Sequence, residues 1–331
     1  MTPTPLTPAS VSASVSASTP APAPDVPIRT FQRVLRAVAL TACLPYLSLK
    51  IAWVSGSVIG IPEDSSLRDA GTTLVVANLV SVALDATLVV IVLLLTRPWG
   101  LRIRSWLIGG PVFVATGLLT PIVVGFPVQL AVRGLGGGQS AAREPFLDDW
   151  VFDVVYGGFI VQALALAGLF VPYATRRWGH LWRDGAGVPT ARTDQVLAVA
   201  ASLAALAVGA MYLAWACGAT TGLGADRIAE LDADTYALDA VYVALALVAV
   251  AGVLALAFRT TRLRTALALA WTGSAALGCW GAWMTLAALS PSDSPTGAAP
   301  ALLRLTYAGQ MLAGLLAAVV LTRFLTARRV S

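Results

Sequence analysis

Apolar residues in this chain are gathered into long blocks separated by short polar stretches. Blocks fall near 37–59, 72–96, 106–132, 150–173, 195–217, 236–258, 265–289 and 301–322. Each is long enough, as a helix, to cross a hydrocarbon core of about 30 Å. The pattern predicts an all-α fold: a polytopic membrane helix bundle of about eight transmembrane helices with little mass outside the bilayer. The third block contains Pro111, Pro121 and Pro127. Proline removes a backbone donor and crowds the preceding turn, so this helix is expected to be kinked or divided in two.

The polar positions between blocks are asymmetric. With the first block running outward, the inner segments hold sixteen arginines, among them Arg97, Arg102, Arg104, Arg176, Arg177, Arg259, Arg262 and Arg264. The outer side keeps five: Arg68, Arg133, Arg143, Arg227 and Arg304. This bias orients a membrane protein and places both termini in the cytoplasm. Residues 1–28 are mostly Thr, Pro, Ser, Ala and Val, a composition that cannot bury a core, so disorder is expected there. They lack a basic region followed by an apolar one, and the first block is therefore read as an uncleaved helix.

Composition agrees with the pattern. Charged residues are 12% of the chain, against roughly 25% in soluble domains, and the mean hydropathy is +0.78. The net charge of +5 sits in short loops, where it serves orientation and lipid headgroups; the lipid bilayer is the expected partner and nucleic acid is not. Cys43, Cys217 and Cys279 all fall in apolar blocks without paired spacing, and read as small packing residues.

An internal repeat is legible. Residues 51–61 read IAWVSGSVIGI and residues 213–223 read LAWACGATTGL, sharing Ala-Trp-x-x-Gly-x-x-x-Gly. The same offset takes Asp64 to Asp226 and Arg97 to Arg259; slightly shorter offsets take Arg102-x-Arg104 to Arg262-x-Arg264 and Tyr156 to Tyr307. A four-plus-four tandem duplication follows. The expected units are the tail 1–28, a first four-helix repeat 29–177, a cytoplasmic linker 178–194 and a second repeat 195–331. The Gly-x-x-x-Gly pairs, Gly56 with Gly60 and Gly218 with Gly222, are expected to pack helix against helix.

Ionisable residues inside the blocks are the candidate chemistry, since each costs about 2.5–3.5 kcal/mol at the centre of a membrane helix on insertion scales. Lys50, the only lysine, and Asp85 lie in the first two helices, roughly 13 Å and 20 Å below the outer face at 1.5 Å per residue. With Asn78 they form a candidate intramembrane polar site, Lys50 pairing with Asp85 directly or through water. It reads either as a proton or cation site or as a mutually neutralised pair that fixes packing. The repeat alignment places Tyr212 and Leu247 at the corresponding positions, so the second half lacks this pair. Asp153 and Arg304 occupy equivalent positions and form a candidate pair across the two halves; the alternative is that Arg304 snorkels and Asp153 is solvated. Secondary polar positions are Tyr156, Asp239, Tyr242, Gln162 and Gln310, which read mainly as interhelical contacts. Trp271, Trp280 and Trp283 read as packing and interface aromatics.

Familiar catalytic constellations are missing from the sequence. The single histidine, His180, lies in the inner stretch RRWGHLWRDG, and there is no Gly-x-x-x-x-Gly-Lys phosphate loop. No catalytic residue, cofactor or metal is therefore expected. Glu63-Asp64 in the first outer loop is reminiscent of the acidic pairs of membrane glycosyltransferases that use lipid-linked donors, a minor alternative reading, but the loop is short for such an enzyme. The Ala/Val/Leu/Arg-rich blocks, the Pro/Ser/Thr tail and the stretch LPYLSLKIAWVSGSVIGIP at 44–62 resemble multi-pass membrane proteins of unassigned role in high-GC actinobacteria. That resemblance implies a bacterial plasma membrane and no particular activity. The sequence thus points to a non-catalytic membrane component working with a protein partner or a second copy of itself. The alternative is a small-solute or ion-coupled carrier using Lys50 and Asp85.

Overall fold

The structure, a computed structural model, describes residues 30–68, 71–136, 147–182, 191–259, 262–289 and 300–330. All regular structure among them is helical. The helices are α1 (Thr30–Val54), α2 (Gly71–Thr96), α3 (Ser105–Gly134), α4 (Asp149–Trp178) and α5 (Arg192–Ala216). They continue with α6 (Ala225–Ala229), α7 (Ala233–Phe258), α8 (Leu263–Ala275), α9 (Gly281–Leu289) and α10 (Ala301–Val330). The tail 1–28 and residues 183–190 of the expected linker lie outside the described residues.

Among the described residues, seven helices are each long and apolar enough to cross a membrane: α1, α2, α3, α4, α5, α7 and α10. The chain is an all-α integral membrane protein. The block expected at 265–289 is helical throughout but is not a single α-helix. α8 passes into a π-helical turn, Ala276–Trp280, and then into α9. The proline-bearing third block, in contrast, is one helix, α3, with all three prolines inside it. Prolines are tolerated in a membrane helix where neighbours and hydroxyls support the backbone. Here Thr116 and Thr120 donate to the carbonyls of Val112 and Thr116 at 2.8 and 2.6 Å, and α3 is flanked by α4, α7, α8 and the π turn.

The first four helices pack on one another: α1 lies against α2 and α4, and α3 against α4 and α2. The later helices repeat the scheme, with α5 against α7 and α10, α8 against α7 and α10, and α9 against α10. The two groups meet where α3 rests on α7, α8 and the π turn. Backbones approach closely at this contact and within the later group. A Cβ on Gly117 would lie 2.3 Å from the Ala275 carbonyl oxygen, and one on Gly314 of α10 would lie 2.0 Å from the Gly278 nitrogen. In lipid, such close van der Waals approach drives helix association where the hydrophobic effect does not.

α1 and α5 end in the same way. Gly56 (φ 88°) and Gly218 (φ 91°) adopt the left-handed conformation and donate to the carbonyls of Trp53 and Trp215 at 3.1 and 2.9 Å. The next residues close a wider turn, Ser57 N–H to Ala52 O and Ala219 N–H to Ala214 O, both at 2.9 Å. This double closure is the Schellman cap, which favours glycine at the left-handed residue. The indole N–H groups of Trp53 and Trp215 then donate to the carbonyls of Ile59 and Thr221 at 2.8 and 3.0 Å, tying each loop back to its helix. The Gly-x-x-x-Gly pairs therefore do not form the expected helix-packing stripe. Added Cβ atoms at Gly56 and Gly218 would meet nothing within 4 Å, whereas at Gly60 and Gly222 they would collide with Val151 and Leu302 at 2.4 and 2.6 Å. The first glycine of each pair ends a helix, and the second lets the loop lie against α4 or α10.

Candidate functional site

On α1, residues spaced by three and four share a face, and this brings Tyr46, Lys50 and Trp53 together opposite α2. Asn78 and Asp85 lie two turns apart on α2 and are both buried. The Lys50 ammonium donates to Asn78 Oδ1 at 2.9 Å and stands over the rings of Tyr46 and Trp53, 5.0 and 4.8 Å from their centroids. It is therefore the Asn78 amide that takes the Lys50 hydrogen bond. Among the described residues Lys50 and Asp85 form no direct ion pair, although Asp85 is close enough for its charge to act on Lys50. Asn78 Nδ2 and Asp85 Oδ2 are buried without a hydrogen-bond partner. Deeper in the same seam, buried Gln162 on α4 donates to the Cys43 thiol of α1. Tyr156 packs edge-on against Phe126, 5.1 Å between centroids. Below Asp85 the seam is closed by apolar side chains, among them Leu88, Val92, Ile108 and Leu169.

Asp153 and Arg304 are not brought together. Asp153 is exposed on α4 and Arg304 half-buried on α10; α4 packs on α1, α2 and α3, whereas α10 packs on α5, α7, α8 and α9. Glu63 and Asp64 are both exposed at a turn.

The second half holds a polar cluster that the sequence reading did not assemble. Tyr212 of α5 donates to Gln310 Oε1 of α10 at 2.7 Å, and Trp280 of the π turn donates to Tyr242 of α7 at 2.9 Å. The Tyr212 and Tyr242 rings lie 4.8 Å apart, and Tyr307 packs into the same cluster. Asp239 is 2% exposed with Oδ1 lacking a partner, and Arg227 of α6 buries an unpartnered Nε. Both charges act on the hydroxyls of Tyr212, Tyr242 and Tyr307. Asp239 and Tyr242 are one helical turn apart in the sequence, but nothing there signalled that an arginine of α6 and a π turn would join them.

Burial on α2 and α7 follows a common spacing. Buried Asn78, Asp85, Leu88, Val92 and Leu95 on α2 match buried Asp239, Ala246, Ala249, Val253 and Leu256 on α7. This spacing sets Asp239 against Asn78, and Ala246 rather than Leu247 against Asp85. Two further contacts went unread in the sequence. Arg133, at the end of α3, pairs with fully buried Asp234, at the start of α7, at 2.6 Å. At the other end of α4, Arg177 donates to the carbonyls of Gly100 and Ile103, while Tyr173 donates to Gly100 at 2.9 Å. Arg177 also stacks over Tyr173, as Arg328 does over Phe324 on α10.

Fold and polar clusters together define a multi-pass helical membrane protein with two buried polar clusters, one between α1 and α2 and one among α5, α7 and α10. The chain matches no protein-family model, no curated protein and no solved structure.

Proposed function

We propose that this chain is a non-catalytic component of a bacterial plasma membrane, which works through a protein partner or a second copy of itself. In this reading it consists of two tandem four-helix repeats, near 29–177 and 195–331, with α8, the π turn and α9 forming the eighth crossing. Both termini are then cytoplasmic. The duplication is supported by the paired caps of α1 and α5, the paired indole-to-loop hydrogen bonds and the shared packing order. Terminal fusions test the crossing count. Green fluorescent protein should fluoresce and alkaline phosphatase stay inactive at both ends; opposite behaviour at the two ends would leave an odd number of crossings.

The observation that carries the functional reading is the state of Lys50. Its ammonium is engaged by Asn78 and two aromatic rings of its own seam, which suits a structural charge better than one offered to a solute. The test is solvent access in a background with Cys43, Cys217 and Cys279 replaced. A cysteine at Ser81, beside this seam, should resist a membrane-impermeant thiol reagent while one at exposed Glu63 reacts. Rapid labelling at Ser81 would reject the reading in favour of a carrier. The carrier is the second reading, a small-solute or ion-coupled one, and it draws on one observation: buried Asn78 Nδ2 and Asp85 Oδ2 have no partner, as expected of groups that receive a water or an ion.

A further inference from the structure

The two outer polar clusters occupy corresponding places and differ in what fills them. In the first half, an ammonium belonging to the chain sits against the Asn78 amide and the aromatic rings of α1. In the second half, Tyr212 stands where Lys50 stood, Trp215 repeats Trp53, and the amide is replaced by the carboxylate of Asp239. The chain supplies no ammonium there. Asp239 is 2% exposed and keeps Oδ1 bare.

The nearest cation, Arg227, does not fill the place. Opposite charges in a medium of low dielectric attract strongly and ordinarily close into an ion pair. Arg227 and Asp239 form no ion pair within 4.0 Å among the described residues, although Arg227 acts electrostatically on Asp239 and both act on Tyr212, Tyr242 and Tyr307. Each leaves a buried polar atom without a partner, Nε on one side and Oδ1 on the other. The result is a separated pair of opposite charges framed by aromatic rings beneath an outer loop. Aromatic faces and a carboxylate stabilise an ammonium, and a guanidinium is suited to a carboxylate.

We propose that this second-half cluster binds a small zwitterion of the amino-acid type, its ammonium on Asp239 and its carboxylate on Arg227. Tyr242 is held for contact with the ligand by Trp280 of the π turn, and π turns recur at functional sites. The ligand arrives from the outer side, where α6 carries Arg227. The assignment stands apart from the partner reading: a membrane regulator that senses an external amino acid and a carrier that moves one would both use this site.

The test uses the purified full-length protein in lipid nanodiscs, with glycine, L-leucine, L-phenylalanine and ethylammonium titrated separately by calorimetry. At least one amino acid should bind saturably, and Asp239→Asn and Arg227→Gln should each weaken it tenfold or more. Exposed Asp153→Asn should leave it unchanged. Should Asp239→Asn fail to give a monodisperse protein, Arg227→Gln on the outer loop carries the comparison alone. Absence of saturable binding for all three amino acids would overturn the proposal, as would binding that survives both substitutions. Ethylammonium binding as tightly as the best amino acid would also overturn it, because Arg227 would then have no part.

Discussion

At the scale of single residues, the cost of a polar group in lipid makes partner choice measurable. Lys50 donates to Asn78 and not to Asp85, so a double-mutant cycle of Lys50→Met with Asn78→Ala should give a coupling of about 1 kcal/mol, the usual range for hydrogen bonds between membrane helices. The cycle of Lys50→Met with Asp85→Asn should couple more weakly. The reverse order, read from unfolding in bicelles, would show that the carboxylate is the true partner. Glycine makes a second residue-scale case. Gly56→Ala should cost about 1 kcal/mol from the left-handed backbone alone, because the space beside it is open. Gly60→Ala should cost more, since its Cβ also meets Val151, and Val151→Ala should return part of the loss. Equal melting points for the two glycine variants would contradict this. The identity of these glycines was plain in the sequence; their division of labour was not, because a left-handed cap and a close approach both select the residue without a Cβ.

At the scale of elements, the apolar blocks foretold the helices well, since length and hydropathy are local properties. Two elements departed from expectation, each through its neighbours. α3 stays whole despite Pro111, Pro121 and Pro127, whereas the proline-free block at 265–289 contains the π turn. That turn lies where Gly278 faces Gly314 and Gly117 faces Ala275, so the irregularity accompanies backbone contact on two sides. Gly314→Ala would put a Cβ 2.0 Å from the Gly278 nitrogen, a contact no rotamer can relieve. We expect it to abolish the monodisperse peak in fluorescence-detected size exclusion, while Gly134→Ala, with nothing within 4 Å, leaves the peak intact. The N-cap of α7 offers a milder test. Asp232 accepts from the Thr235 N–H and hydroxyl at 2.8 and 2.7 Å, and Asp232→Ala should lower stability by about 1 kcal/mol.

At the scale of the whole molecule, α3 joins the two groups of helices, and in its last turn Arg133 meets Asp234. Asp234 is fully buried, while about a third of the Arg133 side chain is exposed. Removing the arginine strands a buried carboxylate, so Arg133→Ala should cost about 2 kcal/mol, less than for a wholly buried pair because solvent screens the arginine. Adding Asp234→Asn should recover part of it; a double variant as unstable as the sum of the two single ones would deny the link. The membrane class and the approximate helix positions were set by the sequence alone, because bilayer thickness turns hydropathy directly into helix length. Which polar groups meet was decided only in three dimensions. Asn78 in place of Asp85 beside Lys50, Asp153 kept apart from Arg304, and Arg227 within electrostatic reach of Asp239 all depend on helix rotation and on loops crossing between elements. Those are set by close packing of small residues, whose effect is distributed over many contacts and leaves no motif at the positions it brings together.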